Sequence, residues 1–277
     1  MKTAQSSRAQ PPETLEGWYA QHQIFTIDRA TGRGTEGSRG DIATQRVEST
    51  QQGGNPSGWD IWVRLIGSKA DLMSIRFAPT LDDIGDTGFA LRRAASAAGL
   101  RLDSSFLSVT EAGLYHLTAE LARETAERGG TVGDEAYSAE LARRVAKERQ
   151  SSHVQRRLFP ALPEGLPYVC FYPMSKRRVP GQNWYALSLD DRSRLMQAHG
   201  KTGRRYAGRV LQIITGAIGF EQWEWGVTLF AADPLDFKKL VTDMRFDEVS
   251  AEFAEFGEFF VGKLMAPGEL DRLLETA

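Results

Sequence analysis

The sequence predicts an α+β chain. Two tandem ferredoxin-like halves pair their antiparallel sheets into one dimeric α/β-barrel-like subunit, with the helices outside. Three observations carry this. Short β-branched and aromatic runs alternate with longer runs of helical spacing. In the second half those runs follow the order β-α-β-β-α-β, and the first half shows a looser version of it. A stretch with three prolines, FPALPEGLP over 159–167, separates the two as a linker.

Residues 1–14 read as a flexible tail and 15–158 as the first half. GWYAQHQIFTID (17–28) is strand-like in its aromatic and β-branched content. Residues 31–58, rich in Gly, Ser, Thr and Gln, read as a flexible loop. WDIWVRL (59–65) and DLMSIRF (71–77) are strands, and 80–100 is a helix. Asp82, Asp83 and Asp86 suit the positive end of that helix, and Gly99 suits its stop. SFLSVTEAGLYH (105–116) is a strand, and 117–150 is helical with an interruption at Gly129–Gly130.

The second half, 168–277, opens with strand 168–174 and a helix over 190–206 broken near Gly200. Strands follow over 209–220 and 224–232. One helix is expected over 234–256, where Phe237, Leu240, Val241 and Met244 sit at i, i+3, i+4 and i+7. Strand 258–264 and a short helix close the chain.

Composition narrows the class. The chain has 277 residues, 41% hydrophobic and 25% charged, which is a globular rather than a disordered balance. A single cysteine, Cys170, excludes an intrachain disulfide. With four histidines it is also too little for a zinc framework. A reducing, cytoplasmic setting is expected. The polar opening MKTAQSSRAQPPE is no secretory signal, and no apolar run approaches the ~18 residues of a membrane span. GxGxxG, Walker A, HExxH and GxSxG are absent.

Net charge is −2, but its distribution is uneven. Residues 141–209 carry 15 Lys/Arg against 4 Asp/Glu, and 210–277 carry 5 against 13. Such a basic block either attracts a polyanionic ligand or pairs with the acidic segment as a solvated face. No nucleic-acid partner is assigned to it.

In YVCFYPM, Tyr168, Cys170, Tyr172 and Met174 share one strand face. Tyr172 there is either a core anchor with a wetted hydroxyl or a functional phenol. His199 ends the run RSRLMQAHG, with Gly200 as the expected cap. It is either a helix-end imidazole or, as a neutral ring with one free nitrogen, an iron ligand. Gln212 interrupts the apolar run VLQII, so it either pairs inside the core or points into a cavity holding a polar ligand. Trp184, Trp223 and Trp225 pack in a core or wall a flat cofactor. Arg157, Lys176, Arg177, Arg178 and Arg245 could bind carboxylates.

CFYPMSKRR (170–178), NWYALSLDDRSRLMQAHGKTGRRYAG (183–208), EWGVTLFAADPLDFKKLVTDMRFDEVSA (224–251) and EFGEFFVGKL (255–264) resemble the chlorite dismutase superfamily. Within it they are most similar to the Firmicutes-type coproheme decarboxylases. The likeness spans 157–264 and continues more loosely through SIRFAPTLDDIGDTGFALRRA and FLSVTEAGLYH.

The resemblance implies a homopentamer that binds a porphyrin in the C-terminal half of each subunit. It implies that iron coproporphyrin III (coproheme) and two hydrogen peroxide become haem b and two CO2 through a tyrosyl radical. It implies Tyr172 as the redox-active residue, His199 as the proximal iron ligand and Lys176 as an aid to decarboxylation or propionate placement. Arg157, Arg245 and Ser250 would lie near propionates, with Trp184 beside the porphyrin. Transient contact with the ferrochelatase that supplies coproheme is a further implication. At the distal position chlorite dismutases carry an Arg, and here Gln212 stands, which argues against chlorite. The rival readings are a chlorite dismutase and a non-catalytic haem-binding or sensing protein.

Overall fold

The computed structural model describes residues 10–28, 58–67, 70–266 and 268–276. The loop reading over 31–58 lies, but for Gly58, outside the described residues, as do residues 1–9 of the tail.

The first half contributes strands β1 (Thr14–Ile27), β2 (Trp59–Leu65), β3 (Leu72–Ala78) and β4 (Leu100–Gly113). Its helices are α1 (Leu81–Ala97), α2 (Tyr115–Glu127), α3 (Glu135–Arg149) and α4 (Ser152–Leu158). The second half contributes β5 (Tyr168–Lys176), a small ribbon β6 (Arg178–Val179) and β7 (Gln182–Asn183), and a 3₁₀ turn at Trp184–Ala186. Then come α5 (Leu189–Arg204), β8 (Val210–Gly216) and β9 (Trp225–Ala231). The chain closes with α6 (Leu235–Arg245), α7 (Glu248–Phe253), β10 (Ala254–Phe256), β11 (Phe260–Leu264) and α8 (Glu269–Thr276).

The main sheet runs β10-β5-β11-β2-β3-β1-β4-β8-β9, and β9 also pairs with β5, so the sheet closes into a barrel. Both halves use one strand order: β4-β1-β3-β2 in the first and β11-β5-β9-β8 in the second. This is the ferredoxin-like order. The halves meet at two seams, β4 with β8 and β11 with β2, each joining the last strand of one half to the second strand of the other. Closure leaves no open edge in the ring.

The barrel interior is the main core. Ile75, Phe106, Val169, Phe171, Ile213 and Phe230 fill it from both halves. His22 is fully buried there, stacked on Phe171 at a ring separation of 4.0 Å. Outside, α1 and α8 cover the first half through Leu91, Ala95, Leu270 and Leu274. On the second half α6 supplies Phe237 and Leu240 over Cys170, Val227 and Leu229. β5 is near-continuously apolar because both of its faces are covered.

Several boundaries differ from expectation, each for a physical reason. α5 runs unbroken through Gly200 to Arg204, so Gly200 is not a cap. Its start is fixed by Ser188, whose hydroxyl accepts from the Asp191 N–H at 3.1 Å, and Leu195 anchors it in the core. One helical glycine costs only about 1 kcal/mol, too little to end a helix so held. The single helix expected over 234–256 is two helices and a strand, because Asp247 caps a new helix directly after Arg245. The strand expected at 105–116 starts at Leu100 and ends at Gly113, where α2 follows. Its polar outer residues had masked the ladder it forms along β1. α4, beyond the expected helical region 117–150, holds Val154 and Leu158 in a small core with Leu15 and Ala112.

Candidate functional site

Most of the candidate residues gather on the outer face of the second half's sheet and on the helices beside it. Register places Tyr172, Val227 and Ile214 in one row across β5, β9 and β8. Cys170, Leu229 and Gln212 form the next row. Tyr172 and Gln212 therefore share a face, two strands or about 10 Å apart laterally.

Tyr172 lies where the neighbour of β5 changes. β11 pairs with β5 up to Phe171, and β10 pairs from Met174 onward. Pro173 fills the gap, where a missing N–H leaves nothing unpaired. The Gly257 N–H donates to the Pro173 carbonyl at 2.8 Å and turns the chain across the gap. This brings Phe259 into stacking on Tyr172 at 4.3 Å and Phe256 to 5.9 Å. Burial pushes the Tyr172 phenol above its ordinary pKa, the nearby Cys170 adds to this, and the charge of Arg245 opposes it. The phenol therefore keeps its proton.

His199, on α5, is positioned by a residue that the sequence reading missed. Its Nδ1 lies 2.9 Å from Asp247 Oδ2, while Asp247 Oδ1 accepts the Ser250 N–H at 3.1 Å as the cap of α7. Burial pushes the Asp247 carboxyl upward. The hydrogen bond and charge of His199, the Ser250 N–H and the charge of Lys176 outweigh it, leaving Asp247 below its ordinary value. With Nδ1 donating to a carboxylate, Nε2 carries the free lone pair.

Lys176 is 8% exposed, and its ammonium sits over the Trp184 ring at 4.5 Å. Burial draws its pKa down to about 8 against the opposing carboxylates of Asp247 and Glu224. Glu224 is itself buried and accepts the Lys176 backbone N–H at 2.7 Å.

The remaining expected residues are placed as follows. Arg245 sets its guanidinium 3.9 Å over Phe256, the ring beside Tyr172. Ser250 is buried on the first turn of α7, next to the His199–Asp247 pair. Trp184 is 1% exposed, packed among Leu195, Val249 and Phe253, so it supports Lys176 from behind. Gln212 is exposed, which removes the reading that it pairs inside the core. Arg157 is on α4 of the first half, and the charge it meets is Glu111. Glu111 accepts the Trp225 indole N–H at 2.8 Å. Arg157 is thus tied to the second half through Glu111 of β4 and Trp225 of β9.

Asp247 had a sequence signal, an acidic residue three before Ser250 at a helix start. Reading 234–256 as one helix hid it. Glu224 and the ring pair Phe256 and Phe259 had no local signal, since their roles arise from strand pairing across the sheet.

Among the described residues no group of three or more His, Cys, Asp or Glu converges to hold a bare metal ion. His199 offers one nitrogen, which would suit a metal that brings its other ligands with it. Tyr172, Lys176 and Arg245 add one protonated phenol and two cations on the same side of the molecule. These features fit a tetrapyrrole iron bearing carboxylate arms.

Fold and site together define a class: a closed barrel of two repeated ferredoxin-like halves, with a carboxylate-held histidine on the outer side of one half. The chlorite dismutase family pattern matches residues 41–265, and the chain belongs to that family. It is 37% identical over 269 residues to the coproheme decarboxylase of Staphylococcus saprophyticus, covering 95% of this chain and 98% of that one. It is also 37% identical over 277 residues to a Natronomonas pharaonis protein named for heme binding, covering 95% of this chain and 42% of that one. Among solved structures, a heme-binding protein from Thermus thermophilus superposes with TM-score 0.78 at 36% identity, covering 97% of this chain and 100% of that one. A chlorite dismutase variant from Candidatus Nitrospira defluvii gives TM-score 0.65 at 18% identity over 94% and 96% of the two chains, a likeness of fold.

Proposed function

We propose that this chain is a coproheme decarboxylase. It binds iron coproporphyrin III on the outer face of its second half and converts two propionates to vinyl groups with hydrogen peroxide, giving haem b. The observation that carries the reading is a protonated, buried tyrosine on the same half as a histidine whose Nδ1 is committed to Asp247. The likeness to the staphylococcal enzyme over nearly the whole of both chains supports it.

In this reading His199 binds the iron through Nε2, and Asp247 holds the ring in the required tautomer. When bound, the iron porphyrin supplies the oxidation by peroxide. Tyr172 then gives up an electron and a proton together, because its raised pKa forbids prior ionisation. The phenoxyl radical takes a hydrogen atom from the β-carbon of a propionate. A second one-electron oxidation releases CO2 and leaves the vinyl group. Each cycle balances as one propionic acid and one hydrogen peroxide giving one vinyl group, one CO2 and two waters. Lys176 and Arg245 hold carboxylates beside the phenol as charge-assisted partners. Gln212, with no charge, orients polar groups on the sheet side without acting as a strong acid or base. Family likeness also suggests a homopentamer in the cytoplasm, supplied with coproheme by a ferrochelatase.

Mass spectrometry of coproheme incubated with the protein and peroxide tests this. Expected is stepwise loss of two carboxyl carbons through a three-propionate intermediate. Binding with no mass change would replace the reading by a haem carrier, and oxygen release from chlorite would favour the dismutase.

A further inference from the structure

We propose that Gly203 makes room for the ligand in this cleft: its bare backbone lets a flat ring lie along α5 beyond His199, with Met244 and Gln212 yielding the space. This deepens the proposed tetrapyrrole reading and rests on it.

Gly203 is four residues after His199 on one unbroken helix. The two positions share a face and are separated by a rise of about 6 Å. A ring bound to His199 from that face, and lying against the helix, extends over the next turn, where Gly203 stands. α6 and β8 converge on the same point. A Cβ at Gly203 would stand 3.2 Å from Met244 Cε and 3.5 Å from Gln212 Nε2. Both are ends of flexible side chains. Met244 has three torsions with which to withdraw, and the exposed side-chain amide of Gln212 on β8 makes no hydrogen bond among the described residues. The space over Gly203 is thus bounded by atoms that can leave it, and a methyl group at 203 could not.

Gly200 provides the contrast on the same helix. It is turned about 100° from His199. A Cβ there would meet only the Nη1 of exposed Arg204, at 3.3 Å. Alanine at either position favours the helix.

The test titrates the full chain with iron coproporphyrin III by Soret absorbance and follows thermal unfolding without added porphyrin. Gly200→Ala and Gly203→Ala should each raise Tm by about 1–2 °C. Gly203→Ala should also weaken Kd about tenfold, the cost of one crowded methyl group, while Gly200→Ala leaves it unchanged. Adding Met244→Ala to Gly203→Ala should recover part of the affinity. If the wild type gives no Soret complex, the tetrapyrrole reading itself fails. If the wild type binds and Gly203→Ala binds equally, the role of Gly203 is wrong. If Gly203→Ala lowers both Tm and affinity, the double variant decides: recovered affinity supports crowding of the cleft, and no recovery overturns it.

Discussion

Asp247→Asn is the most informative single change, because Asp247 serves two donors at once. Its Oδ1 accepts the Ser250 N–H at 3.1 Å and its Oδ2 faces His199 Nδ1 at 2.9 Å. Asparagine has one carbonyl oxygen, so it can keep only one of these bonds. Asn and Asp cap helices about equally well, so the oxygen stays with Ser250. The amide NH2 then points at Nδ1, which must accept, and the imidazole proton moves to Nε2. That is the wrong tautomer for an iron ligand. Restoring the right one forfeits a hydrogen bond to a charged group, about 1.5–3 kcal/mol. The expected result is a roughly tenfold to hundredfold loss of affinity for iron coproporphyrin III, as removal of a partner behind a metal-binding histidine commonly gives. Tm should stay within about 2 °C of wild type, since the cap survives. Asp247→Ala, which loses both bonds, should lower Tm further. A Soret titration, the iron–histidine stretch in resonance Raman and a thermal melt read these out. An Asp247→Asn protein with wild-type affinity and an unchanged stretch would refute the positioning argument.

Three further expectations follow from the same geometry. Tyr172→Phe keeps the stacking on Phe259 but removes the hydrogen-atom donor, so coproheme should bind with near wild-type affinity while mass spectrometry finds no vinyl product; normal turnover would end the radical assignment. The Lys176 pKa is drawn down to about 8, so the ammonium that holds a carboxylate is present below that pH and lost above it. Coproheme affinity should therefore fall as pH rises through about 8, toward that of Lys176→Met, which should be weaker below that pH and flat across the range. Burial lowers His22 from 6.5 to about 3, so the folded state holds it neutral. The resulting stability is complete above 6.5 and is lost as pH falls toward 3, on the order of 4–5 kcal/mol in all. His22→Leu should move the acid unfolding midpoint, followed by circular dichroism, to lower pH.

The strand and helix order was legible in the sequence because each half alternates period-two and period-3.6 runs of sufficient length. YVCFYPM declared both its faces, and Tyr172 and Cys170 share one, as their spacing demanded. What was not legible lies in long-range pairing. Gln212 left two readings open, an amide paired in the core or one facing a cavity; pairing places Ile213 in the barrel interior and Gln212 on the outer face, where it is exposed, so the core reading falls. Trp184 left two readings open, a core residue or a cofactor wall; Phe253, Val249 and Tyr115 enclose it, as core packing requires, and what the sequence could not show is that its ring lies under Lys176. Asp247 needed the break after Arg245 to be seen. That break depends on a cap rather than on apolar periodicity, which runs on past it.

The repeated architecture also bears on why the residues of the proposed site gather on one half. β1 and β5 are the corresponding strands of the two halves, and His22 of one stacks on Phe171 of the other; with these two taken as equivalent, Ile75 and Phe106 flank His22 as Thr228 and Phe260 flank Phe171. Stepping one residue along each strand sets Gln23 against Tyr172. Carrying the same register across the sheet sets Asp60 and Arg76 against Gln212 and Leu229. The first half thus holds a bidentate Asp60–Arg76 ion pair where the second has an apolar row ending in an uncharged amide. Among the described residues a cavity of about 20 Å³ lies there, room for water rather than a ring. Above it Leu270 and Leu274 of α8 pack with Leu91 and Ala95 of α1 onto Phe25 and Leu72. The C-terminal helix therefore crosses back over the half whose charged pair, Asp60 and Arg76, is already satisfied internally, although the buried Gln23 amide beside it makes no hydrogen bond among the described residues. The second half keeps its outer face for side chains that need a partner from outside: the free nitrogen of His199, the ammonium of Lys176 and the amide of Gln212. One barrel gives both halves rigid strands, and the difference in function comes from which outer face has its charges paired internally.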